Sequence, residues 1–116
     1  MPSLNDIYWM AGLIEGEGCF TFAINGAPYK GKKYMTSQIT IKMTDKDIVE
    51  RAAKLLGVTC VKIGKMEYSY YKQAYKCRAV GPRARGWMMT IYPLMSRRRK
   101  DKIREILNKE IEYALT

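Results

Sequence analysis

Two hydrophobic periods meet within a few residues of one another near the N-terminus. Ile7, Met10, Ala11 and Ile14 recur at the spacing of one helix face, and Ser3 followed by Asp6 resembles a capping box. Together these predict a helix over Leu4 to Glu15. Gly16 and Gly18 stop it. From Cys19 to Asn25 the pattern alternates, with Phe20, Phe22 and Ile24 on one side and Cys19, Thr21, Ala23 and Asn25 on the other, which is a half-buried strand. The switch commits the chain to a mixed α and β domain.

The remaining segments extend that alternation. Gly26 to Lys33, with Pro28 and three lysines, reads as a connector. A second strand follows over Tyr34 to Met43, with Ile39, Ile41 and Met43 inward and Thr36, Gln38, Thr40 and Lys42 outward. Thr44 is placed to cap a helix with Asp45 and Asp47 in its first turn, a core stripe of Ile48, Ala52, Leu55 and Leu56, and Gly57 as its stop. Val58 to Ile63 and Gln73 to Val80 form a second strand pair across a tyrosine-rich turn (Tyr68, Tyr70, Tyr71, with Tyr75 beyond it). Gly81-Pro82 opens a helix with Trp87, Ile91, Leu94 and Met95 on one face, ended by Pro93. The last helix, about Lys100 to Tyr113, carries Ile103, Ile106, Leu107, Ile111 and Ala114 at helical spacing. The methionines, Trp9, Trp87 and Ile91 read as core. The order is αββαββαα: an α+β domain with one antiparallel sheet, helices on its apolar face and the other face wet.

Composition sets the chemistry. The 116 residues suffice for one domain, residues 1–116, and apolar residues make up 47% of them, enough for a real core. There is no histidine, which removes His-based triads and most catalytic zinc sites. Cys19, Cys60 and Cys77 are three, far apart and without a C-x-x-C, so they indicate neither a disulfide framework nor structural zinc. A metal here must be held by oxygens. The apolar stretch Ile7 to Ile14 is too short for a membrane span and lacks the basic flank of a signal peptide. This points to an intracellular protein, of the cytoplasm, nucleoid or an organelle matrix, with no membrane partner and no secretion.

Charge is divided sharply along the chain. The net charge is +10, yet residues 1–28 contain no Lys or Arg and hold Asp6, Glu15 and Glu17, so all 21 basic residues lie beyond them. A basic body with a small acidic spot fits a polyanion binder that also holds a cation. On the strands, the wet face is expected to carry Thr21, Asn25, Gln38, Thr40, Lys42, Lys62, Lys76 and Arg78, with Lys30 and Lys32 of the connector nearby. Short polar side chains reach base edges in a major groove, and Lys or Arg reach guanine or phosphate. A strand of this length covers about 30 Å, on the order of nine base pairs, so one chain would read a half-site.

The run Met10-Ala-Gly-Leu-Ile-Glu-Gly-Glu-Gly18 resembles, position by position, the signature of the LAGLIDADG homing endonucleases. Met10 stands for leucine, and Glu15 and Glu17 for two aspartates. The likeness spans essentially the whole chain: one motif, αββαββ, then a proline and a basic run before a terminal helix. The implied fold is a sheet forming a DNA-binding saddle with helices on the other face. One motif copy resembles the homodimeric branch. Gly12 and Gly16, four apart with Leu13 between them, let two such helices approach closely about a twofold axis.

The resemblance implies that Glu17 binds a divalent cation, Mg²⁺ or Mn²⁺, by its side chain and Gly16 by its carbonyl. A carboxylate just beyond a helix C-terminus sits in unfavourable potential that a cation relieves. With one essential acid per chain, two-metal hydrolysis of double-stranded DNA needs Glu17 from both subunits. The implied activity is cleavage of one phosphodiester per strand at a long pseudo-palindromic site. Without histidine, no side chain titrates near neutrality to serve as base. Family members often have a polar residue after the second strand and a basic residue near the later proline that order the attacking water, in register Asp45 and Arg98. Asp45 also suits a helix start, and Arg97 and Arg99 flank Arg98. Glu15, two residues before the catalytic position, faces elsewhere and is suited to capping or to pairing with a base. The alternative is a non-cleaving DNA or RNA binder on the same scaffold, an intron maturase or transcription regulator, for which loss of the carboxylate at Glu17 would be the mark.

Overall fold

A computed structural model describes residues 2–24, 31, 34–63 and 73–115. Its elements are α1 (Leu4–Glu17), β1 (Gly18–Ile24), β2 (Met35–Met43), α2 (Lys46–Leu56), β3 (Val61–Ile63), β4 (Ala74–Val80), α3 (Pro82–Ile91), a 3-10 turn (Tyr92–Leu94) and α4 (Arg97–Leu115). The strands form one sheet in the order β1-β2-β4-β3, with every neighbour antiparallel. The α+β architecture and its element order are as the sequence predicts.

Period-two patterning places the core. Ile39 and Ile41 of β2, Cys77 and Ala79 of β4 and Phe20 of β1 point to the helical side and are buried. Met10 and Ile14 of α1, Met88 and Ile91 of α3, and Ile103 and Ile106 of α4 meet them there. Burial drives Cys77 up to about 11, with Cys60 adding to it, so this thiol stays protonated and serves as an apolar core group.

Several boundaries and faces depart from expectation. The α2 N-cap is Asp45, without a side-chain capping bond, and not Thr44. Its buried stripe is Val49, Ala52, Ala53 and Leu56, while Ile48 and Leu55 are half-buried. The adjacent small alanines turn the helix toward the sheet by about one position. Gly57 closes α2 in the left-handed conformation, φ 73°, its N–H donating to Ala53 and Lys54 carbonyls, as glycine alone does readily. The strand expected over Val58 to Ile63 is only Val61–Ile63. Tyr68, Tyr70 and Tyr71 lie outside the described residues.

Helix α4 starts at Arg97, three residues earlier than the apolar spacing suggested. Its C-terminal half leaves the core: Ile111 is 59% exposed, and Ala114 is exposed. With Met35, Met89 and Leu107 they line an apolar groove of about 680 Å³. Met89, Leu94 and Ile24 are likewise exposed, where periodicity placed them inward. A polar knot holds this end of α4. The Glu110 carboxylate accepts from Arg85 Nη1 at 2.5 Å, Ser37 Oγ at 3.1 Å and Thr36 Oγ1 at 3.4 Å. It satisfies the fully buried Ser37 and draws Thr36 toward α4, where an outward side chain was expected.

The α1 start follows its capping box. Asp6 N–H donates to Ser3 Oγ and Ser3 N–H to Asp6 Oδ2, both at 3.1 Å. The Ser3 N–H, more than any nearby charge, holds Asp6 below its ordinary 3.8. Ser3→Ala is expected to cost about 1 kcal/mol, a few degrees in Tm. The carboxylate's share is complete above its ordinary range and is lost as pH falls through the lower folded value. The Ser3→Ala deficit should persist in acid, because the bond it removes joins Ser3 Oγ to the Asp6 N–H, whereas melts of the native chain and Asp6→Asn should differ at neutral pH and converge in acid.

Candidate functional site

The helix α1 continues through Gly16 and ends on Glu17, two residues later than predicted. Glu17 therefore belongs to the last turn of α1 and does not lie beyond it. Gly16 and Glu17 are both exposed and Leu13 is half-buried. A Cβ built on Gly12 or Gly16 would meet nothing within 4 Å. Among the described residues nothing asks for glycine at either position, although each helical glycine costs about 1 kcal/mol relative to alanine. Leu4 and Tyr8, exposed apolar residues, precede Gly12 and Gly16 at four-residue steps on the same face. Sequence reading did not single out these two, although the i, i+4 spacing was there to find them.

Gly18 has the opposite character. It adopts an extended conformation, φ −78° and ψ 152°, and its N–H donates to the Ile14 carbonyl, so α1 passes into β1 with no intervening residue. A Cβ here would lie 2.7 Å from Ile14 Cγ2 and 2.9 Å from Ile14 Cα and O. Backbone cannot yield as a side-chain tip does. Gly18→Ala is expected to destabilise the domain by roughly 1–3 kcal/mol, as overpacking does, readable as a lower urea midpoint at unchanged m.

The last turn of α1 abuts the first turn of α4. Glu15 accepts from Ser96 N–H at 2.5 Å and Ser96 Oγ at 3.0 Å and lies 3.6 Å from Arg99 Nε. The Ser96 N–H above all, with its hydroxyl and the charges of Arg99 and Arg98, holds Glu15 below the usual carboxylate range. Arg99 Nη2 donates to the Glu15 carbonyl at 3.0 Å, and its guanidinium lies over the Phe20 ring, 5.6 Å from the centroid. Glu15 thus pairs with a base, as its phase on the helix suggested. Arg98 is exposed and, with Gly18, Cys19, Lys102 and neighbours, lines a hollow of about 390 Å³ beside the α1 end.

The register assigns the wet face of the sheet. Thr21 stands opposite Gln38, Thr40 opposite Arg78, and Lys42 opposite Lys76. Arg78 Nε donates to Thr40 Oγ1 at 3.2 Å. Two lysines directly across a ladder repel, a local cost that a polyanion on this face removes. Cys19, exposed and opposite Thr40, shares the face.

Two expectations fail here. Lys62 pairs with Tyr75, which is in register with Met43, so its side chain belongs to the helical side. There it lines a hollow with Lys46, Glu50 and Cys60. Gln38 is on the wet face but only 4% exposed, its amide donating to the Ile24 carbonyl at 3.4 Å. Asn25, Lys30 and Lys32 lie outside the described residues. Asp45 is the exposed N-cap of α2.

Among the described residues no three Cys, Asp or Glu side chains converge as a metal cage. One chain offers Glu17's carboxylate and the Gly16 carbonyl, both at the negative end of a helix that has no basic residue in its last turn. That donor set is all oxygen and incomplete, which fits a hard divalent cation whose other ligands come from a second chain, phosphate or water.

A four-stranded antiparallel sheet with one basic face and helices behind it, its first strand continuing a glycine-bearing helix that ends in an exposed acid, defines the class of LAGLIDADG folds. The family model for LAGLIDADG endonucleases matches residues 10–81, and the chain belongs to that family. Its fold is similar to that of the archaeal intron-encoded homing endonuclease I-Vdi141I complexed with DNA, with TM-score 0.57 and 19% identity over 91% of this chain and 69% of that one. It is also similar to the homing endonuclease I-TnaI, with TM-score 0.56 and 17% identity over 95% and 77% of the two chains. I-GzeII in complex with its DNA target gives TM-score 0.59 and 14% identity, over 92% of this chain but 36% of that one. No curated protein matches the chain. Among the described residues no helix is long and apolar enough to cross a membrane.

Proposed function

We propose that this chain is a site-specific double-stranded DNA endonuclease that works as a homodimer through α1 and cuts one phosphodiester per strand. The observation that carries the reading is the open space at Gly12 and Gly16, on the helix that delivers Glu17. Glycines that no contact among the described residues explains, in line with exposed Leu4 and Tyr8, suit a second copy packed backbone to backbone. A twofold axis along that face brings the two Glu17 side chains to the centre and supplies the second acid that one chain lacks.

In this reading Glu17 and the Gly16 carbonyl hold Mg²⁺ or Mn²⁺. When bound, such an ion polarises a phosphoryl oxygen and makes water acidic enough to react at neutral pH. The residues of the chain do the rest. Arg98, exposed at the α4 start, faces a phosphate beside the acid and helps order the attacking water. Thr21, Thr40, Lys42, Lys76 and Arg78 face the DNA, the hydroxyls toward base edges and the cations toward guanine or phosphate. Asn25, Lys30 and Lys32, outside the described residues, are proposed as further DNA contacts. An intron or other mobile-element setting, in the manner of I-Vdi141I, accounts for such a protein inside a cell.

Cleavage of a randomised DNA library in Mg²⁺, with the native chain and Glu17→Gln compared at matched DNA affinity, tests this. Cutting at a pseudo-palindromic site by the native chain alone supports it. If both bind and neither cuts, the chain is a non-cleaving nucleic-acid binder, and RNA splicing or operator binding becomes the assay.

A further inference from the structure

The two helix ends at the site complete one another. The last turn of α1 contains no basic residue of its own, and the first turn of α4 contains no acid. Each end therefore lacks the counter-charge that a helix terminus favours. Worse, α4 opens on Arg97, Arg98, Arg99 and Lys100, four cations at the positive end of a dipole. The missing groups are exchanged. Glu15 of α1 takes the Ser96 N–H and hydroxyl just ahead of α4, and Arg99 of α4 donates to the Glu15 carbonyl in the last turn of α1.

Arg99 is unlike the other cations of its run. Its side chain is 12% exposed, whereas Arg97 and Arg98 are exposed and Lys100 is half-buried. Its Nε is buried without a hydrogen-bond partner among the described residues, 3.6 Å from the Glu15 carboxylate, and the guanidinium lies over Phe20. An arginine buried this far by contacts within the chain is not free to follow a phosphate.

We infer that Arg99, acting through Glu15, is a positioning residue: this reciprocal cap sets the height and rotation of the Gly16–Glu17 turn, and so the metal affinity of the site. The inference rests on the endonuclease reading and deepens it. It divides the basic run by task. Arg98 works on the nucleic acid, while Arg99 holds together the two elements that carry the acid and the cations. The Ile14 carbonyl accepts from Gly18 N–H and the Glu15 carbonyl from Arg99, so the turn is tied immediately before Gly16. Groups that support metal ligands without touching the ion change affinity by roughly 10–100-fold when removed.

The test uses the full chain, native and as Arg99→Met, Arg99→Lys and Glu15→Gln. Mn²⁺ binding to the free protein is followed by loss of the free-ion electron paramagnetic resonance signal. DNA affinity is measured in EDTA across a salt series, and hydrogen exchange at the Gly18 amide reports the turn directly. Arg99→Met is expected to weaken Mn²⁺ binding and raise the metal concentration for half-maximal cleavage by roughly 10–100-fold. It should speed Gly18 exchange and leave the salt slope of DNA binding unchanged. Arg99→Lys, which still reaches the Glu15 carbonyl, should recover part of the Mn²⁺ affinity. Glu15→Gln keeps the backbone carbonyl that Arg99 bonds and should have the smaller effect, and the double variant should lose more than either alone, short of full additivity only by the ion pair the two side chains share.

A salt slope reduced by about one with Mn²⁺ affinity unchanged would make Arg99 a phosphate contact and overturn the inference. If Arg99→Met does not fold, the same readouts on Arg99→Lys and Glu15→Gln decide. An active native chain whose variants all keep native Mn²⁺ affinity overturns this inference alone. A native chain that neither cuts nor takes up Mn²⁺ through Glu17 overturns the endonuclease reading, and this one with it.

Discussion

Glu17→Gln is expected to leave DNA binding within a few-fold of the native chain and to lower cleavage by roughly a thousandfold or more. The side chain keeps its length but loses the charge that would hold a divalent ion. The chemistry such an ion supplies is worth several kcal/mol, and each 1.36 kcal/mol is about tenfold in rate. No other acid of the N-terminal segment is placed to take its place. Glu15, the nearest in sequence, is engaged by Ser96 and Arg99, and no further acid lies within residues 1–28 except Asp6, tied into the opposite end of α1. Single-turnover cleavage at saturating DNA and Mg²⁺ measures the effect. Native-like rates in the variant would move the catalytic acid elsewhere.

Gly12→Leu should have the second large effect, and in two directions. Within one chain the substitution meets open space and replaces glycine with a strong helix former, so the isolated fold should gain up to about 1 kcal/mol. Between two copies the same side chain enters the contact twice, once from each partner. At roughly 1–3 kcal/mol per overpacked side chain, the dimer constant should worsen by a factor between about 30 and more than ten thousand. Sedimentation velocity should show dimers of the native chain and monomers of the variant at the same concentration, with cleavage lost in parallel. Gly86, a glycine of α3 that also meets nothing within 4 Å, provides the comparison. Gly86→Leu should raise stability and leave assembly alone. A Gly12→Leu chain that still dimerises and cuts would remove α1 from the interface.

Much of this fold is legible because its signals are redundant. Ile39 and Ile41 alternate in phase with Phe20, and Gly57 and Pro82 punctuate helices where their backbone preferences require it. What failed depended on phase that a short or irregular segment cannot carry. Lys62 was placed on the wet face by alternation, but three residues of β3 after an irregular approach leave the register to be set by pairing with Tyr75. Gln38 has the right phase, yet an amide near the Ile24 carbonyl is drawn to it, and only tertiary contact reveals that. The three arginines could not be told apart because α4 begins at Arg97, which the apolar spacing from Ile103 onward does not locate. At the site, the acid and its glycines are plain in the sequence. The cap between Glu15 and Arg99 joins positions 84 apart, beyond any local pattern.

The direct passage from α1 into β1 acts as a fixed ruler. In the proposed dimer, a joint without a linker would transmit any tilt of the paired helices straight into the strand proposed to face DNA, so the half-sites could not drift independently. Moving two half-sites apart by a single base pair shifts one by about 3.4 Å and turns it by roughly a tenth of a helical turn. A flexible hinge would absorb that change; this joint has none to offer. Targets with one base pair inserted or deleted at their centre should therefore be refused altogether, however well their arms match.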